Sequence, residues 1–336
     1  MTVATTTGGV TALPPPTSRL TRLRRRHGWL VGVALLLVVL LFWRVSQVPQ
    51  FGGFEVRTIT AATLPLAFLA MAQAIVVISG GIDLSVGAMM VLANCIAARL
   101  MEDQPLTTCL LISLLVLAVT VALSALIGLV ITVSGIPDII VTLAASFTLA
   151  GLALLVLPGP GGGTSPDFQT LLTGDFTNPL PSIVVVTGAL LLAWLPLRRS
   201  RLGLAIYAVG SDRTAAYLAG VSVRRTRVLA YAVAGLFTGA AGLVTTAFTG
   251  SGEPRASIGS IATLSSVAAV VLGGVALTGG IGGLLGPVLA AYCLTLIAPL
   301  MLGLGWDPNY AEVARGVILI GVVLVGGLIQ LRRRTT

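Results

Sequence analysis

The chain has 336 residues, of which 56% are hydrophobic and 9% are charged. Soluble domains contain about 25% charged residues, so this composition excludes a soluble globular protein and indicates an all-α, polytopic membrane protein. The formal net charge is +9. Because the arginines flank apolar segments, this excess reports membrane orientation and gives no case for nucleic-acid binding.

The N-terminal segment 1–28 is rich in threonine, glycine and proline and ends in a basic stretch. This composition predicts a disordered tail. The apolar run from Trp29 to Trp43 could belong to a signal peptide, but it is long for one and no clear small-x-small cleavage site follows it. We therefore expect a retained membrane anchor.

Ten segments are long and apolar enough to cross a membrane as helices of about 20 residues. They cover 29–48, 58–80, 84–100, 106–132, 138–157, 182–197, 228–249, 261–279, 283–301 and 313–331. The second and third are separated only by a short polar turn, so one of them could be broken or re-entrant, and nine to eleven crossings stay open. We predict one transmembrane domain over 29–331 with about ten helices, followed by a basic tail at 332–336.

Arginine is distributed unequally between the two sides that ten crossings define. Fifteen of the twenty basic residues fall on the side of the two termini, and seven of these lie between the sixth and seventh spans. Cytoplasmic loops hold the positive excess, which predicts that both termini and 198–227 are cytoplasmic. Residues 158–181 would form an external loop that either meets a partner or simply connects two spans.

A glycine-rich polar turn at 79–87 separates the second and third spans. Gly80 and Gly81 can adopt backbone conformations closed to other residues and can end the second span. Asp83 would then be the N-cap of a helix that begins at Leu84, accepting bonds from free backbone N–H groups. Alternatively it is a gating or coupling residue at the cytoplasmic mouth, because a carboxylate at a membrane edge needs a partner, a cap or a wet path.

Gln73 and Asn94 are the polar residues that the second and third spans would place well inside the hydrocarbon region, at about 1.5 Å per residue from the turn. Amides donate and accept hydrogen bonds, which suits a hydroxyl-rich ligand. Hydrogen bonding between helices is the alternative, because amides do that too.

The loop between the sixth and seventh spans predicts a short helix. Ser211 can cap it, Asp212 lies in its first turn, and Gly220 can end it. Tyr217 and Leu218 would be presented for docking into a groove of another protein. A helix that lies on the membrane surface is the alternative.

The turn sequence SGGIDLSVG resembles the signature of permease subunits of ATP-driven sugar importers, the ribose/xylose/arabinose/galactose type within the branched-chain amino-acid permease superfamily. Two further regions are similar to that family: Ala208 to Ser211 with Ala215 to Val221, and the glycine-rich stretch 268–286. The stretch VVLGGVALTGG also echoes VVISGGIDLSVG, which suggests an internal duplication around a central path.

The signature turn, the mid-membrane amides and the segment similar to the family's ATPase contact supply candidate site residues of three kinds. Signature or gating residues would be Gly80, Gly81, Asp83, Ser85 and Gly87. Gln73 and Asn94 would line the translocation path. Contacts to an ATPase would come from a cytoplasmic coupling helix and its flanks: Ser211, Asp212, Arg213, Ala215, Ala216, Tyr217, Leu218 and Gly220. Tyr217 stands where the family commonly has a basic residue, and Ala219 where it commonly has serine, so the identity of the matching ATPase stays open.

The sequence lacks a Gly-x4-Gly-Lys-Ser/Thr loop and contains no lysine, so the chain cannot supply an ordinary P-loop. Its one histidine, His27, lies in the basic flank, so we expect no catalytic residue, no metal site and no cofactor in this chain. ATP would be bound by a cytoplasmic ABC ATPase. Other expected partners are a second permease subunit, identical or different, and an extracytoplasmic sugar-binding protein.

The resemblance thus favours a monosaccharide permease in the bacterial inner membrane. A branched-chain amino-acid or nucleoside permease of the same superfamily is the first alternative. An ion-coupled secondary transporter usually needs buried titratable groups along a path, and here only Asp83 is near the membrane. An intramembrane enzyme would need a nucleophile–base pair or metal ligands at a recognisable spacing.

Overall fold

The computed structural model describes residues 19–307 together with 310, 313, 314, 316, 317, 320 and 321, and side chains from residue 29 onward. Over these residues the prediction of an all-α protein is confirmed; the one strand-like feature is a bridge between Gly161 and Gly252. The helices are α1 (Arg19–Gln47), α2 (Gly53–Ile78), α3 (Val86–Met101), α4 (Leu106–Ser134), α5 (Asp138–Val156), α6 (Pro166–Thr173), α7 (Leu180–Gly188), α8 (Leu195–Arg199), α9 (Arg201–Ser211), α10 (Arg213–Leu218), α11 (Val223–Thr249), α12 (Ala256–Leu272) and α13 (Leu285–Gly303). A π-helical segment, Ala189–Trp194, joins α7 to α8.

Seven helices in the described part of the chain are long and apolar enough to span a membrane. They are α1 from Trp29, α2, α4, α5, the continuous stretch Leu180–Arg199, α11 and α13. The helices α3 and α12 are apolar but shorter. Together these correspond to the first nine predicted segments, whereas most of the tenth, 313–331, and the tail 332–336 lie outside the described residues. The chain is therefore a multi-span membrane protein, and the count of about ten stays a prediction.

Two predicted boundaries differ from the structure by more than five residues. The helix α1 begins at Arg19, inside the segment expected to be a tail up to residue 28; residues 1–18 of that segment lie outside the described part. The eighth span was expected to end at 279, but α12 ends at Leu272 and a non-helical loop runs to α13. This loop contains several glycines with positive φ, a conformation that ends a helix although the residues remain apolar.

The core is built around α2, which packs against α11, α13, α12, α3 and α7. Almost every residue of α2 from Ile59 to Ile78 is buried, so its apolar surface is continuous rather than confined to one stripe. The helix α11 approaches α3 so closely that a Cβ at Gly242 would overlap that of Ala93. Small residues permit such backbone approach where lipid gives no hydrophobic drive for helix association.

The two segments that echo each other in sequence also share a backbone turn. Gly80 after α2 has φ +80°, and Gly274 after α12 has φ +79°. The N–H of Gly81 donates to Val76 O at 3.0 Å, and the N–H of Val275, in the same register, donates to Val270 O at 3.1 Å. This is the double helix-ending turn of the Schellman type. The shared geometry supports the interpretation of an internal repeat.

Candidate coupling and gating site

The signature turn is held by Asp83, which is buried, with 2% of its surface exposed. Its carboxylate accepts two hydrogen bonds from Ser85. Oδ1 of Asp83 lies 2.7 Å from Ser85 N and 2.5 Å from Ser85 Oγ. The predicted N-cap at Asp83 is wrong, because α3 begins only at Val86 and Ser85 occupies the cap position without a side-chain cap bond. Asp83 instead closes a local turn, an alternative that short polar side chains offer to the backbone.

An ion pair between a buried arginine and a partly buried aspartate lies next to this turn, and sequence reasoning missed it. Arg227, on α11, donates from Nη2 to Oδ2 of Asp138, the first residue of α5. The Tyr231 hydroxyl donates to the same oxygen at 3.3 Å. A Cβ at Gly81 would lie 2.5 Å from that oxygen, so only glycine lets the turn approach this cluster. The available signal was a pair of opposite charges at span ends on the same predicted side.

Burial raises the pKa of the Asp83 carboxyl above its ordinary value, because desolvation disfavours the charged form. Asp83 lies in the connection between α2 and α3, outside both helices. The two bonds from Ser85 act in the opposite direction, and the negative charge of Asp138 acts with burial. A second carboxylate is thus close to Asp83 in space, although none is close in sequence.

The start of α3 is fastened to α12. Gly87 N donates to Thr263 Oγ1 at 3.0 Å, and a Cβ at Gly87 would overlap the carbonyl of Gly259. Leu84 N donates to Thr142 Oγ1 on α5 at 3.1 Å. The signature residues therefore touch α5 and α12 through backbone groups, and Gly87 lies so close to α12 that it leaves no room for a side chain.

The predicted short helix is α10, and its N-cap is Asp212 rather than Ser211. Oδ1 of Asp212 accepts from Thr214 N at 2.8 Å and Ala215 N at 3.0 Å. Ser211 is still part of α9, and its hydroxyl donates to Tyr207 O within that helix. The shift by one residue follows from the backbone, since Asp212 is the residue with extended φ and ψ between two helices.

The outer face of α10 is exposed: Tyr217 is 71% and Leu218 79% accessible. Ala216 is buried on the inner face, Ala215 is exposed, and Gly220 with φ +82° ends the segment as predicted from its residue type. The side chain of Arg213 reaches back to the signature turn and donates from Nη2 to Gly80 O at 2.7 Å. The two regions that the sequence singled out separately are therefore in direct contact.

Gln73 and Asn94 differ in their surroundings. The Asn94 amide donates to Thr246 Oγ1 at 2.9 Å and to Ser251 O at 3.0 Å, and it accepts from Glu253 N at 2.9 Å. It thus connects α3 to α11 and to the segment after it. Gln73 is fully buried on α2, and neither its Oε1 nor its Nε2 has a hydrogen-bond partner among the described residues.

Residues 56–323, the part of the chain that contains almost all of this architecture, match the family model described as "Branched-chain amino acid transport system / permease component". Together with the multi-span helical fold, this match defines the class of the protein as a membrane permease component of a transport system. The chain belongs to this branched-chain amino acid transport system permease family.

Relatives match over nearly the whole chain. The "Ribose import permease protein RbsC" of Escherichia coli (strain K12) is 30% identical over 305 residues, which cover 88% of this chain and 94% of the relative. The protein of the same name from Bacillus subtilis (strain 168) is 32% identical over 261 residues, 76% of this chain and 80% of the relative. The "Autoinducer 2 import system permease protein LsrD" of Escherichia coli O157:H7 is 29% identical over 333 residues, 93% of this chain and 96% of the relative. No solved structure matches the chain.

Proposed function

We propose that this chain is the membrane-spanning subunit of an ATP-binding-cassette importer for a monosaccharide. The observation that carries the proposal is the similarity, over most of both chains, to ribose import permeases from two bacteria. The chain would form the translocation path in a dimer of permease subunits in the bacterial inner membrane. An extracytoplasmic binding protein would deliver the sugar, and a separate ATPase would supply the energy.

The orientation in this proposal rests on arginine. Both termini and the segment from α8 to the start of α11 would face the cytoplasm, because the chain concentrates its arginines there. About ten spans would then place α6 and the loop around it outside. The ion pair of Asp138 and Arg227 and the signature turn would lie at the cytoplasmic end of the helices.

The coupling surface in this proposal is α10. It is short and capped, and it is attached through one buried alanine and the bond from Arg213 to Gly80, while its tyrosine and leucine project outward. Large side chains that a protein leaves exposed on a capped helix suit insertion into a groove of a partner. A helix resting on the membrane surface would instead place these two side chains among lipid headgroups.

Of the two residues proposed to line the path, Gln73 is the more informative, because its buried amide has no hydrogen-bond partner among the described residues. A buried amide without partners costs about 1–3 kcal/mol, so a fully buried Gln73 disfavours the arrangement in which it lies. Opening of the helices around α2 would relieve this cost, and a sugar hydroxyl could donate to and accept from the amide. The bonds of Asn94, by contrast, favour a role in holding helices together.

The test is uptake driven by defined energy sources. Vesicles that contain the chain together with its ATPase and binding protein should accumulate labelled ribose or another monosaccharide only when ATP is supplied on the side of the ATPase. Collapse of the proton gradient should leave this uptake unchanged. Leucine and autoinducer 2 serve as competing substrates. Uptake that persists when the ATPase nucleotide site is disabled would overturn the ATP-driven proposal, and uptake of leucine alone would overturn the choice of sugar.

A further inference from the structure

Three backbone segments meet at the end of α2 with almost no side chains between them. Gly80 follows α2, Gly210 lies in the last turn of α9, and Gly279 and Gly280 lie in the loop between α12 and α13. Gly280 N donates to the carbonyl of Ile78 at 2.9 Å. A Cβ at Gly210 would overlap that same carbonyl, and one at Gly279 would lie 2.6 Å from Gly210 O. We call these four residues the glycine junction.

Arg213 joins α10 to this junction. It is the first residue of α10, and its guanidinium donates to Gly80 O, which belongs to the helix-ending turn of α2. No carboxylate pairs with Arg213 among the described residues. A bond from a charged donor is stronger than a neutral one, and this contact links the exposed helix directly to the signature turn.

The remaining attachment of α10 is slight. Only Ala216 of its six residues is buried, and the helix packs mainly on its neighbours in sequence, α9 and α11. A force applied to the outer face of α10 has two routes to the end of α2: through α9, whose Gly210 lies against Ile78, and through Arg213, which bonds directly to the α2–α3 connection. From Gly80 it continues to Gly81, which lies against Asp138, and to Gly87, which is bonded to α12.

We propose that Arg213 is the positioning residue that transmits movement of α10 to the signature turn, so that ATP hydrolysis by the partner is converted into rearrangement of α2, α3 and α12. The inference rests on the proposed docking of an ATPase on α10, but it goes further by naming one side chain as the link. In this proposal Arg213 acts through its bond to Gly80 O and not through contact with the substrate or with ATP. Its removal should uncouple hydrolysis from transport rather than prevent either partner from assembling.

The experiment compares Arg213→Ala and Arg213→Lys with the unmodified chain in the assembled complex with its ATPase and binding protein. Arg224→Ala is the matched control, because Arg224 is exposed on the same predicted side and has no hydrogen bond or ion pair among the described residues. Membrane abundance, co-purified ATPase, ATP hydrolysis and sugar uptake are all measured. The ratio of sugar transported to ATP hydrolysed is the deciding quantity.

We expect Arg213→Ala to retain the ATPase and its hydrolysis while the transport ratio falls about tenfold, the size of one lost bond to a charged donor. Lysine can still donate to Gly80 O, so Arg213→Lys should recover part of the ratio, and Arg224→Ala should leave it unchanged. An unchanged ratio in Arg213→Ala overturns the proposal, and so does a loss of uptake that only follows a loss of bound ATPase.

A parallel pull-down with Tyr217→Ala separates the two proposals. If Tyr217→Ala leaves ATPase binding intact, α10 is not the docking surface and the proposed coupling surface fails. If Tyr217→Ala loses the ATPase while Arg213→Ala keeps the normal transport ratio, docking stands and only the role of Arg213 is refuted.

Discussion

At the scale of single residues, the informative groups are the charges that the fold buries. Asp83 accepts its bonds from Ser85 within one turn, and Asp138 pairs with Arg227 across two helices. A buried polar group costs free energy unless it is hydrogen-bonded, so both arrangements were obligatory once these residues were enclosed. They differ in what removal of the charge should do.

Replacement of Asp83 by asparagine should raise stability at neutral pH. Asparagine keeps an oxygen that can accept from Ser85, and it removes a charge whose pKa burial raises above the ordinary 3.8. A raised pKa means that the fold gains stability when the carboxyl is protonated. This gain in stability is fully present when the pH is below the ordinary pKa of 3.8, and it is lost as the pH rises through the raised pKa of the folded protein. Thermal unfolding in detergent should show Asp83→Asn above the unmodified chain at about pH 7, with the gap closing toward about pH 4.

Uptake gives the second readout for this residue, since Asp138, Arg227 and Tyr231 lie close by. Asp83→Asn should transport better than Asp83→Ala, which loses the acceptor. A variant Asp83→Asn that reaches the membrane in normal amount but does not transport would show that the negative charge itself is functional, as the gating alternative requires.

Removal of one partner of the buried ion pair should be severe. Arg227→Leu leaves the partly buried carboxylate of Asp138 without its cation, and the loss should approach about 3–5 kcal/mol, the cost that is typical of breaking a fully buried pair. The measurement is the thermal-unfolding midpoint, and the double variant Arg227→Leu with Asp138→Leu should recover part of the loss. Arg255→Leu is the control, because Arg255 pairs with Glu253 at an exposed site and exposed pairs contribute little. Equal effects of the two single arginine variants would contradict the buried-pair interpretation.

At the scale of elements, apolar run length was enough to predict the seven described helices that are long enough to span a membrane and the two shorter apolar helices, α3 and α12, whereas the polar turns were predicted less well. Both N-caps were misplaced, because Asp83 and Ser85, or Ser211 and Asp212, are equally good capping residues and only the backbone decides which one precedes the helix. The partnership of Asp138 and Arg227 joins residues far apart in sequence, which no local pattern encodes.

The exposed face of α10 provides a prediction about docking. Tyr217→Ala and Leu218→Asp should each weaken ATPase binding, because a buried aromatic anchor at an interface contributes about 2 kcal/mol or more, roughly 30-fold in affinity. Pull-down of the ATPase at equal membrane abundance checks this. The control is Tyr310→Ala, an exposed tyrosine that follows α13 on the other predicted side of the membrane. If both α10 variants bind like the unmodified chain, a helix resting on the membrane becomes the better account.

At the scale of the whole molecule, the distribution of arginines predicts the orientation of the chain in the membrane, which the arrangement of the helices alone does not give. The native cysteines Cys95, Cys109 and Cys293 are all buried, so replacing them provides a background for labelling single new cysteines. Ser222→Cys, exposed between α10 and α11, should resist an impermeant maleimide in intact cells. Thr170→Cys, exposed on α6, should react. The reverse pattern would invert the proposed topology.

The repeated turn after α2 and α12 shows how much of the internal repeat could be predicted from the sequence. The sequence echo located both copies, because glycine at the position of positive φ is required in each. It did not reveal that the loop of the second copy lies against the first, with Gly280 bonded to Ile78. That contact depends on how α2, α9 and α12 are arranged, which is tertiary information.

The glycine junction also has a mechanical consequence. Ordinary helix contacts interlock, because ridges of side chains fit into grooves and must climb over one another to shift. Backbone surfaces formed by Gly80, Gly210 and Gly279 present no such ridges. The hydrogen bond from Gly280 to Ile78 resists separation of the segments, but no interlocking side chains oppose their sliding past one another. On its other side, Gly280 and the loop up to Gly286 border a groove of about 610 Å³ that is also lined by Trp29 and Leu30 of α1 and by Arg198 of α8. The glycine junction therefore lets its backbone segments slide past one another, and the adjoining groove leaves space for that movement.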